Sequence, residues 1–460
     1  MSKVVVVGGG PVGALIGLLL KARGDDVAVY ERRGDPRARG YIGGRSINLA
    51  LSDRGMLGLQ KAGVVDDIEK VAVAMPGRCM HNIDGSSSFM PYGLNGEFIR
   101  SVSRGGLNIK LLDLLDEAGV PIHFDHPCTD VDMPAGRARC GMVNVEGDVI
   151  IGSDGAFSGV RAAFLKTDRF DYSQSYLPHG YKELAIPAGP AGAFLLPGEA
   201  MQQALHIWPR SSFMLIALPN QDGSFTCTLF LAHDGGEHSF AAMRGAEAAR
   251  AFFSRAFPDA LALMPDFDAQ WQANPVSSLA TIRCQPWHHG RTLLLGDAAH
   301  SIVPFFGQGL NAGFEDCRVL AETLDQVDGD WARALPLFET ARKENTDAIA
   351  TLALENFVEM RDRVGQPAFL LRKKVEAALA RAAPDLVTPA YTMVTFRPHT
   401  PYAEALRRSR SQDVILDRLV ADAAVVAAVL KNPVDPGLQA MLRKIAAEHL
   451  SLSVVPGSLH

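Results

Sequence analysis

The sequence has no excess of positive charge. Its 45 lysines and arginines are outnumbered by 51 aspartates and glutamates, which gives a formal net charge of −6. The basic residues do not gather into a stripe or along one predicted helix. Because a nucleic-acid-binding surface needs such a basic footprint to neutralise phosphates, the composition argues against nucleic acid as a partner.

Cysteine is also scarce. The six cysteines include no C-x-x-C pair, and the N-terminal apolar run is too short for a secretory leader. We therefore expect free buried thiols in a cytoplasmic protein, and no metal site. The thiols are those of Cys79, Cys128, Cys140, Cys227, Cys284 and Cys317.

Long apolar runs are absent as well. The most apolar stretch of the last third, residues 414–430, is interrupted by Asp417, Arg418 and Asp422. A membrane-spanning helix needs about 20 mostly apolar residues. The sequence therefore predicts no membrane span.

What the chain does contain is an ordinary globular composition, with 47% hydrophobic and 21% charged residues over 460 positions. This length exceeds one hydrophobic core, so two or three domains are expected. Short strand patterns between residues 176 and 233, separated by Pro, Gly, Asn and Asp, predict an antiparallel sheet. The pattern is mostly helical from residue 310 to the end.

The N-terminus carries a glycine fingerprint, Gly8-x-Gly10-x-x-Gly13, between a predicted strand (4–7) and a predicted helix (14–23). Glycines at this spacing allow a tight turn and let the backbone approach a pyrophosphate at the helix N-terminus. Val12 belongs to the same turn. The fingerprint indicates a dinucleotide site but does not distinguish FAD from NAD(P).

The end of the next strand keeps both dinucleotides open. Glu31 is placed to accept hydrogen bonds from a ribose 2′-OH. Arg32 and Arg33 follow it, and they could instead hold the 2′-phosphate of NADP in a plain dehydrogenase. No second G-x-G-x-x-G follows a strand, so a nicotinamide must bind without a Rossmann domain of its own.

Three later blocks resemble the flavin aromatic hydroxylases. Residues 150–161 contain Asp154-Gly155, which is similar to their "DG" motif, and residues 293–300 contain Gly296-Asp297, which is similar to their "GD" motif. The third block, residues 304–311, opens a helix whose dipole would stabilise negative charge on a reduced flavin. The resemblance implies that the Asp297 carboxylate contacts the ribityl chain of FAD.

Five longer stretches narrow the resemblance to the kynurenine 3-monooxygenase family; they are residues 44–52, 178–184, 204–209, 354–360 and 391–396. The resemblance implies an α/β fold, in which a Rossmann-like FAD-binding domain (1–71, 100–174 and 284–345) is interrupted by an antiparallel-sheet substrate domain (72–99 and 175–283). A C-terminal helical region (346–460) follows. The implied reaction converts L-kynurenine, NADPH and O₂ to 3-hydroxykynurenine through a flavin C4a-hydroperoxide.

The resemblance also assigns site residues. The amino-acid end of the substrate would be held by Arg78, Tyr92, Asn356 and Tyr391; an arginine fork suits a carboxylate in a way that lysine does not reproduce. The implied pocket walls are Leu205, Ile216, Leu218, Phe230, Pro304, Phe305, Phe306 and Met360. The implied FAD contacts, beyond the fingerprint, are Glu31, Arg32, Arg33, Ala50, Arg104, Cys128, Asp154, Asp297, Gly307, Gln308, Gly309, Leu310 and Asn311.

No acid–base residue is predicted, because the aniline nitrogen of kynurenine already activates the adjacent ring carbon and the protein supplies position and dryness. Two alternatives stay open. One is a hydroxylase for another ortho-amino or ortho-hydroxy aromatic acid, and the other is a non-catalytic flavin redox sensor. The sequence does not define the oligomeric state, and a homodimer is compatible with it.

Overall fold

A computed structural model describes residues 1–39, 48–93, 96–196, 202–362 and 367–451. The side chains of residues 39, 360–362, 450 and 451 are not described. Residues 44–47 of the 44–52 stretch and the side chain of Met360 therefore lie outside the description.

The first layer is a six-stranded sheet, which we call the nucleotide sheet. Its strands are parallel except for the edge strand His288–His289. The central strand Lys3–Val7 is a continuous apolar run whose valines are at most 2% exposed, as expected where both faces are covered. In spatial order the strands are His288–His289, Thr292–Leu294, Val149–Gly152, Lys3–Val7, Asp26–Tyr30 and Ile122–His123.

The second layer is a seven-stranded sheet, which we call the substrate sheet. It is antiparallel except where Leu205–Arg210 pairs in parallel with Gly77–His81. Side chains alternate between the two faces of the sheet, and each face packs in a different hydrophobic core. Leu215 and Leu229 pack with the short helices of residues 246–273, whereas Met214 and Phe230 pack with the C-terminal helices. In spatial order the strands are Val276–Gln285, Asp171–Ile186, Phe225–Ala232, Phe213–Pro219, Leu205–Arg210, Gly77–His81 and Ser87–Pro91.

Two small antiparallel sheets complete the strands. One contains Asn48–Leu51, Ile99–Ser103 and Ala72–Met75, with Ile99–Ser103 in the middle. The other contains Cys128–Asp132, Arg137–Cys140 and Val143–Glu146.

Helices cover the sheets and form the C-terminal region. The first helix begins at Pro11, three residues before the sequence prediction, because proline at the first helical position presets the backbone. The helices of the first two layers are Pro11–Ala22, Pro36–Arg39, Asp53–Lys61, Val65–Glu69, Arg104–Glu117, Gly159–Phe164, Ala246–Ala256, Pro258–Ala262, Phe267–Ala273 and Gly309–Gln326, with 3₁₀ turns at Pro190–Gly192, Gly296–Ala298 and Pro304–Phe306.

The remaining helices are Trp331–Asp362, Pro367–Ala382, Ala390–Phe396, Tyr402–Ala421, Ala423–Lys431 and Pro436–Ser451. A separate apolar core, which includes Leu379, Leu416 and Leu442, joins four of them: Pro367–Ala382, Tyr402–Ala421, Ala423–Lys431 and Pro436–Ser451. Ala390–Phe396 instead packs its Met393 and Val394 into the core that contains Phe230 and Phe305. Among the described residues, no helix combines the length and the apolar character that crossing a membrane requires. The predicted combination of α/β layer, antiparallel-rich sheet and helical tail is confirmed.

Candidate active site

A cavity of about 490 Å³ opens at the carboxyl ends of the nucleotide-sheet strands. Residues that directly follow Lys3–Val7, Asp26–Tyr30 and Val149–Gly152 form its walls. Ligands of open α/β sheets bind at this edge, because the loops that leave the strands converge there. The cavity continues past Pro304 to Leu218 and Tyr181 of the substrate sheet.

The three glycines of the fingerprint have different roles. A Cβ atom on Gly13 would lie 1.9 Å from the carbonyl oxygen of Gly8, and one on Gly8 would lie 2.6 Å from that of Ser153. Gly8 also has a φ of +107°. A Cβ on Gly10, which lines the cavity, would meet nothing within 4 Å. Gly8 and Gly13 therefore permit the turn itself, whereas Gly10 leaves room for a ligand.

Glu31 is fixed by the backbone around it. Its Oε2 accepts a hydrogen bond from the Gly9 N–H at 2.8 Å, and its Oε1 accepts one from Arg33 N–H at 2.9 Å. Arg32 and Arg33 are exposed beside it, and all three line the cavity. The carboxylate is thus oriented before any ligand binds, with lone pairs left for ligand hydroxyls.

Two aspartates of the hydroxylase-like blocks also line the cavity. Asp154 Oδ2 accepts from the N–H groups of Gly159 and Val160, at 2.7 and 3.3 Å, and so caps the helix Gly159–Phe164. Its Oδ1 is buried and has no protein partner. Burial raises the pKa of Asp154; burial also raises the pKa of Asp297, against the lowering effect of Arg104. A buried carboxylate oxygen without a partner suits a hydroxyl-bearing ligand.

Most of the other sequence-predicted cofactor residues border the same cavity. They are Val12, Ala50, Arg104, Cys128, Gly307, Gln308, Gly309 and Leu310. The six cysteines are free as predicted, but Cys128 is only partly buried because it belongs to this wall. Gly13 and Asn311 do not line the cavity. Asn311 is fully buried, accepts from Ser52 N–H and donates to the carbonyls of Ala50 and Gly307, so it holds the neighbouring loops together.

A smaller recess of about 70 Å³ adjoins this cavity and shares Ala50, Gly307 and Gln308 with it. Arg78, from the strand Gly77–His81, enters the recess and lies over the ring of Tyr391 at 4.1 Å and that of Tyr92 at 5.2 Å. The two tyrosine rings stack at 5.8 Å. Three of the four residues predicted for the amino-acid end of the substrate, Arg78, Tyr92 and Tyr391, thus come together here from distant segments. The fourth, Asn356, does not line the recess.

The electrostatics of the recess favour an anion. Burial would lower the pKa of Arg78, but Tyr391 and Tyr92 hold it above its ordinary value, so the guanidinium stays charged. Burial raises the pKa of Tyr92, whose hydroxyl stays neutral. Arg78 Nε and Tyr92 OH are both buried without a protein partner. Among the described residues that line the recess, none is acidic.

The walls around Arg78 are apolar. Phe305 packs against Phe230 and Phe357 at ring distances of 5.1 and 4.7 Å, and Phe306 lies 5.7 Å from Tyr391. Asn356 donates to the carbonyl of Phe305 at 2.6 Å, which ties the long helix to the turn Pro304–Phe306. Leu205, Ile216 and Leu218 cluster with Tyr92, and Pro304 borders the larger cavity.

Two groups of residues at or near the site were not predicted from the sequence. Ser52 and Thr395 line the recess, although both fall inside stretches that carried the family resemblance. An ionic cluster behind the cavity joins Arg54 to Glu315, Arg342 to Glu315 and Asp316, and Asp316 to His300, with contacts of 2.5–2.7 Å. The i, i+4 spacing of Thr395 from Tyr391 could have predicted that the two residues share a helix face. The ionic cluster joins distant segments of the chain, so no sequence pattern could have predicted it.

Comparisons with known proteins agree with this geometry. The model of a family described as "FAD binding domain" matches residues 1–354. The chain is 47% identical to a kynurenine 3-monooxygenase of Xanthomonas axonopodis pv. citri, over 89% of this chain and 90% of the relative. It is 43% identical to one of Flavobacterium psychrophilum, over 91% and 94%.

Solved structures show the same fold at lower identity. The tetrameric form of 2-methyl-3-hydroxypyridine-5-carboxylic acid oxygenase superposes with a TM-score of 0.65 at 23% identity, covering 80% of this chain and 95% of that one. PqsL of Pseudomonas aeruginosa, in complex with 2-aminobenzoylacetate, gives 0.64 at 18% identity, with coverage of 79% and 97%.

Proposed function

The chain belongs to the family of FAD-dependent kynurenine 3-monooxygenases, and from this premise we propose how its residues divide the work of the reaction. The protein is a flavoprotein monooxygenase that hydroxylates L-kynurenine to 3-hydroxykynurenine. The balanced reaction consumes NADPH, a proton and O₂, and it releases NADP⁺ and water with one oxygen atom in the product.

The larger cavity fits FAD, because three of its groups have space or hydrogen-bonding capacity that no protein atom uses. Gly10 leaves open space, the Gly9 N–H orients the Glu31 carboxylate by a hydrogen bond, and Asp154 Oδ1 is buried without a partner. We assign the pyrophosphate to the fingerprint, the ribose to Glu31 and the ribityl chain to Asp297. The helix Gly309–Gln326 begins at the cavity, where its dipole favours negative charge. Bound FAD supplies the redox chemistry that activates O₂ with electrons from NADPH.

We assign the substrate carboxylate to Arg78. A charged guanidinium with a buried, unpartnered Nε, next to the unpartnered hydroxyl of Tyr92, would be costly to leave unsatisfied. Tyr391 and Asn356 are proposed to complete the shell. The aromatic walls of Phe230, Phe305 and Phe306 then exclude water from the ring that is hydroxylated, which limits the loss of activated oxygen.

The test is NADPH consumption by the FAD-loaded protein with and without L-kynurenine, with the product identified by mass and retention time. We expect strong stimulation and a product one oxygen atom heavier. Stimulation by another ortho-amino aromatic acid but not by L-kynurenine would contradict the substrate. Bound FAD without stimulation by either acid would contradict the monooxygenase activity.

We also propose that the protein works in a reducing compartment, such as the cytoplasm, which six free cysteines support. The separate cores of the nucleotide sheet and the substrate sheet support the domain division 1–71, 100–174 and 284–345 against 72–99 and 175–283. The helical region 346–460 is the third proposed unit.

A further inference from the structure

Two residues that line the Arg78 recess have buried hydroxyl groups without a hydrogen-bond partner or an assigned role. Ser52 and Thr395 are each 1% exposed, and neither hydroxyl oxygen has a hydrogen-bond partner. Both residues line the recess with Arg78 and Tyr391. Buried hydroxyls are nearly always satisfied, so two unsatisfied ones around one recess indicate that a ligand supplies the missing bonds.

Thr395 lacks a backbone hydrogen bond that three other helical threonines make. Thr323, Thr340 and Thr351 each donate to the carbonyl four residues earlier, at 2.7–2.8 Å. Thr395 lies in the helix Ala390–Phe396, four residues after Tyr391 and so on the same face. Thr395 lines the recess, and its hydroxyl makes no bond to the helix backbone.

Ser52 shows the same departure. It is the N-cap residue of the helix Asp53–Lys61 but makes no side-chain cap hydrogen bond. Ser103 and Ser158, at two other helix starts, accept from the N–H groups of Gly106 and Arg161. Two residues whose hydroxyls each lack the usual local partner therefore border one recess.

The charge of the recess indicates what they bind. Arg78 pairs with a carboxylate, but an α-amino acid also brings an ammonium group a few bonds away. None of the described residues that line the recess carries a negative charge, so neutral oxygens must accept the ammonium N–H groups. We propose that the hydroxyl oxygens of Ser52 and Thr395 form the ammonium subsite, which selects an α-amino acid over an acid without the amine. The subsite rests on the proposed function.

The test uses two acids that differ only at this group: L-kynurenine and its deaminated analogue, 4-(2-aminophenyl)-4-oxobutanoate. Affinity is measured with the FAD-loaded protein from the change in flavin absorbance on titration. In Thr395→Val we expect the affinity for L-kynurenine to fall roughly tenfold, since a bond to a charged group is lost. The affinity for the deaminated acid should change less than about twofold, which also shows that the variant is folded. Ser52→Ala should behave in the same way.

Two further variants serve as controls. Thr395→Ser keeps the hydroxyl and should retain the preference for L-kynurenine. Thr340→Val removes an exposed helical hydroxyl away from the recess and should change neither affinity. An equal loss for both acids in Thr395→Val would assign the hydroxyl to the carboxylate and overturn the subsite, as would no loss for either. If the wild type binds both acids equally well, the subsite alone is overturned. If it does not respond to L-kynurenine, the proposed function fails first.

Discussion

The larger cavity, which we call the cofactor end, and the adjoining Arg78 recess, which we call the substrate end, are built from different kinds of groups. At the cofactor end, short local segments supply the groups: the backbone turn of Gly8 and Gly10, the carboxylate of Asp154 and the helix start at Gly309 each follow a strand or turn. At the substrate end, side chains do the work. Arg78 and Tyr391 come from a strand and a helix that are far apart in the sequence.

This difference predicts opposite sensitivities. Where the contacts come from backbone, as in the glycine turn, the site does not tolerate the addition of a Cβ atom, because the backbone atoms in contact cannot move away. A site built from converging side chains tolerates small shifts of backbone but not the truncation of its charged member. Each of the following predictions tests one side of this contrast.

The largest effect is expected at the substrate end, in Arg78→Met. The variant should keep FAD but bind L-kynurenine about 2–5 kcal/mol more weakly, because the substrate carboxylate loses its partner in a buried site. This corresponds to a loss of affinity of roughly 30-fold or more. Titration followed by flavin absorbance measures it. The matched control is Arg169→Met, since that side chain is 92% exposed and does not line the recess. Unchanged affinity in Arg78→Met would remove Arg78 from the site.

The next effect is expected at the cofactor end, in a pair of glycine variants. Gly13→Ala places its methyl group 1.9 Å from the Gly8 carbonyl oxygen, so the FAD-free protein should lose about 3 kcal/mol of unfolding free energy. Gly10→Ala meets no protein atom within 4 Å and should leave that stability nearly unchanged while it weakens FAD binding. Urea unfolding of the FAD-free proteins and FAD titration separate the two. Equal destabilisation of both variants would contradict the division of roles among the glycines.

The same contrast explains what could be predicted from the sequence. The cofactor end depends on local backbone geometry, so the fingerprint and Glu31 could be predicted from spacing and context, and short blocks that resemble the flavin hydroxylases added Asp154 and Asp297. Gly13 and Asn311 belong to the same motifs but act through packing, a distinction that spacing does not carry. At the substrate end, only the family resemblance joined Arg78 to Tyr391.

Ser52 and Thr395 were missed for a physical reason. A serine before a helix and a threonine within one are ordinarily read as local capping and back-bonding residues. That both lack these bonds becomes visible only in the three-dimensional arrangement of their hydrogen-bonding groups. The ionic cluster of Arg54, Glu315 and Arg342 is similar, because pairs that join separate helices have no sequence period.

The smallest effect concerns two aspartates whose pKa values move in opposite directions. Behind the substrate sheet, burial alone would raise the pKa of Asp259, but hydrogen bonds from His81 and Trp208 lower it to about 2. At the cofactor end, burial raises the pKa of Asp154. An unfolded aspartate titrates near 3.9. The charged form is therefore favoured by folding at Asp259 and disfavoured at Asp154, so their replacement by asparagine should have opposite signs.

For Asp259→Asn, the wild type should be more stable at neutral pH, and this advantage should disappear as the pH falls from about 4 through about 2. The side chain is 48% exposed, so solvent screening limits the advantage to roughly 0.2–1 kcal/mol.

For Asp154→Asn, the FAD-free variant should be the more stable one at neutral pH, because asparagine keeps the helix cap without a buried charge. That gain should vanish as the pH falls toward about 3.9, where the folded wild type has taken up its proton. Urea unfolding of the FAD-free proteins across this range measures both differences. The Asp154→Asn gain should shrink when FAD is bound, since the cofactor hydroxyls then satisfy the carboxylate; a gain that survives FAD saturation would place Asp154 outside the cofactor contacts.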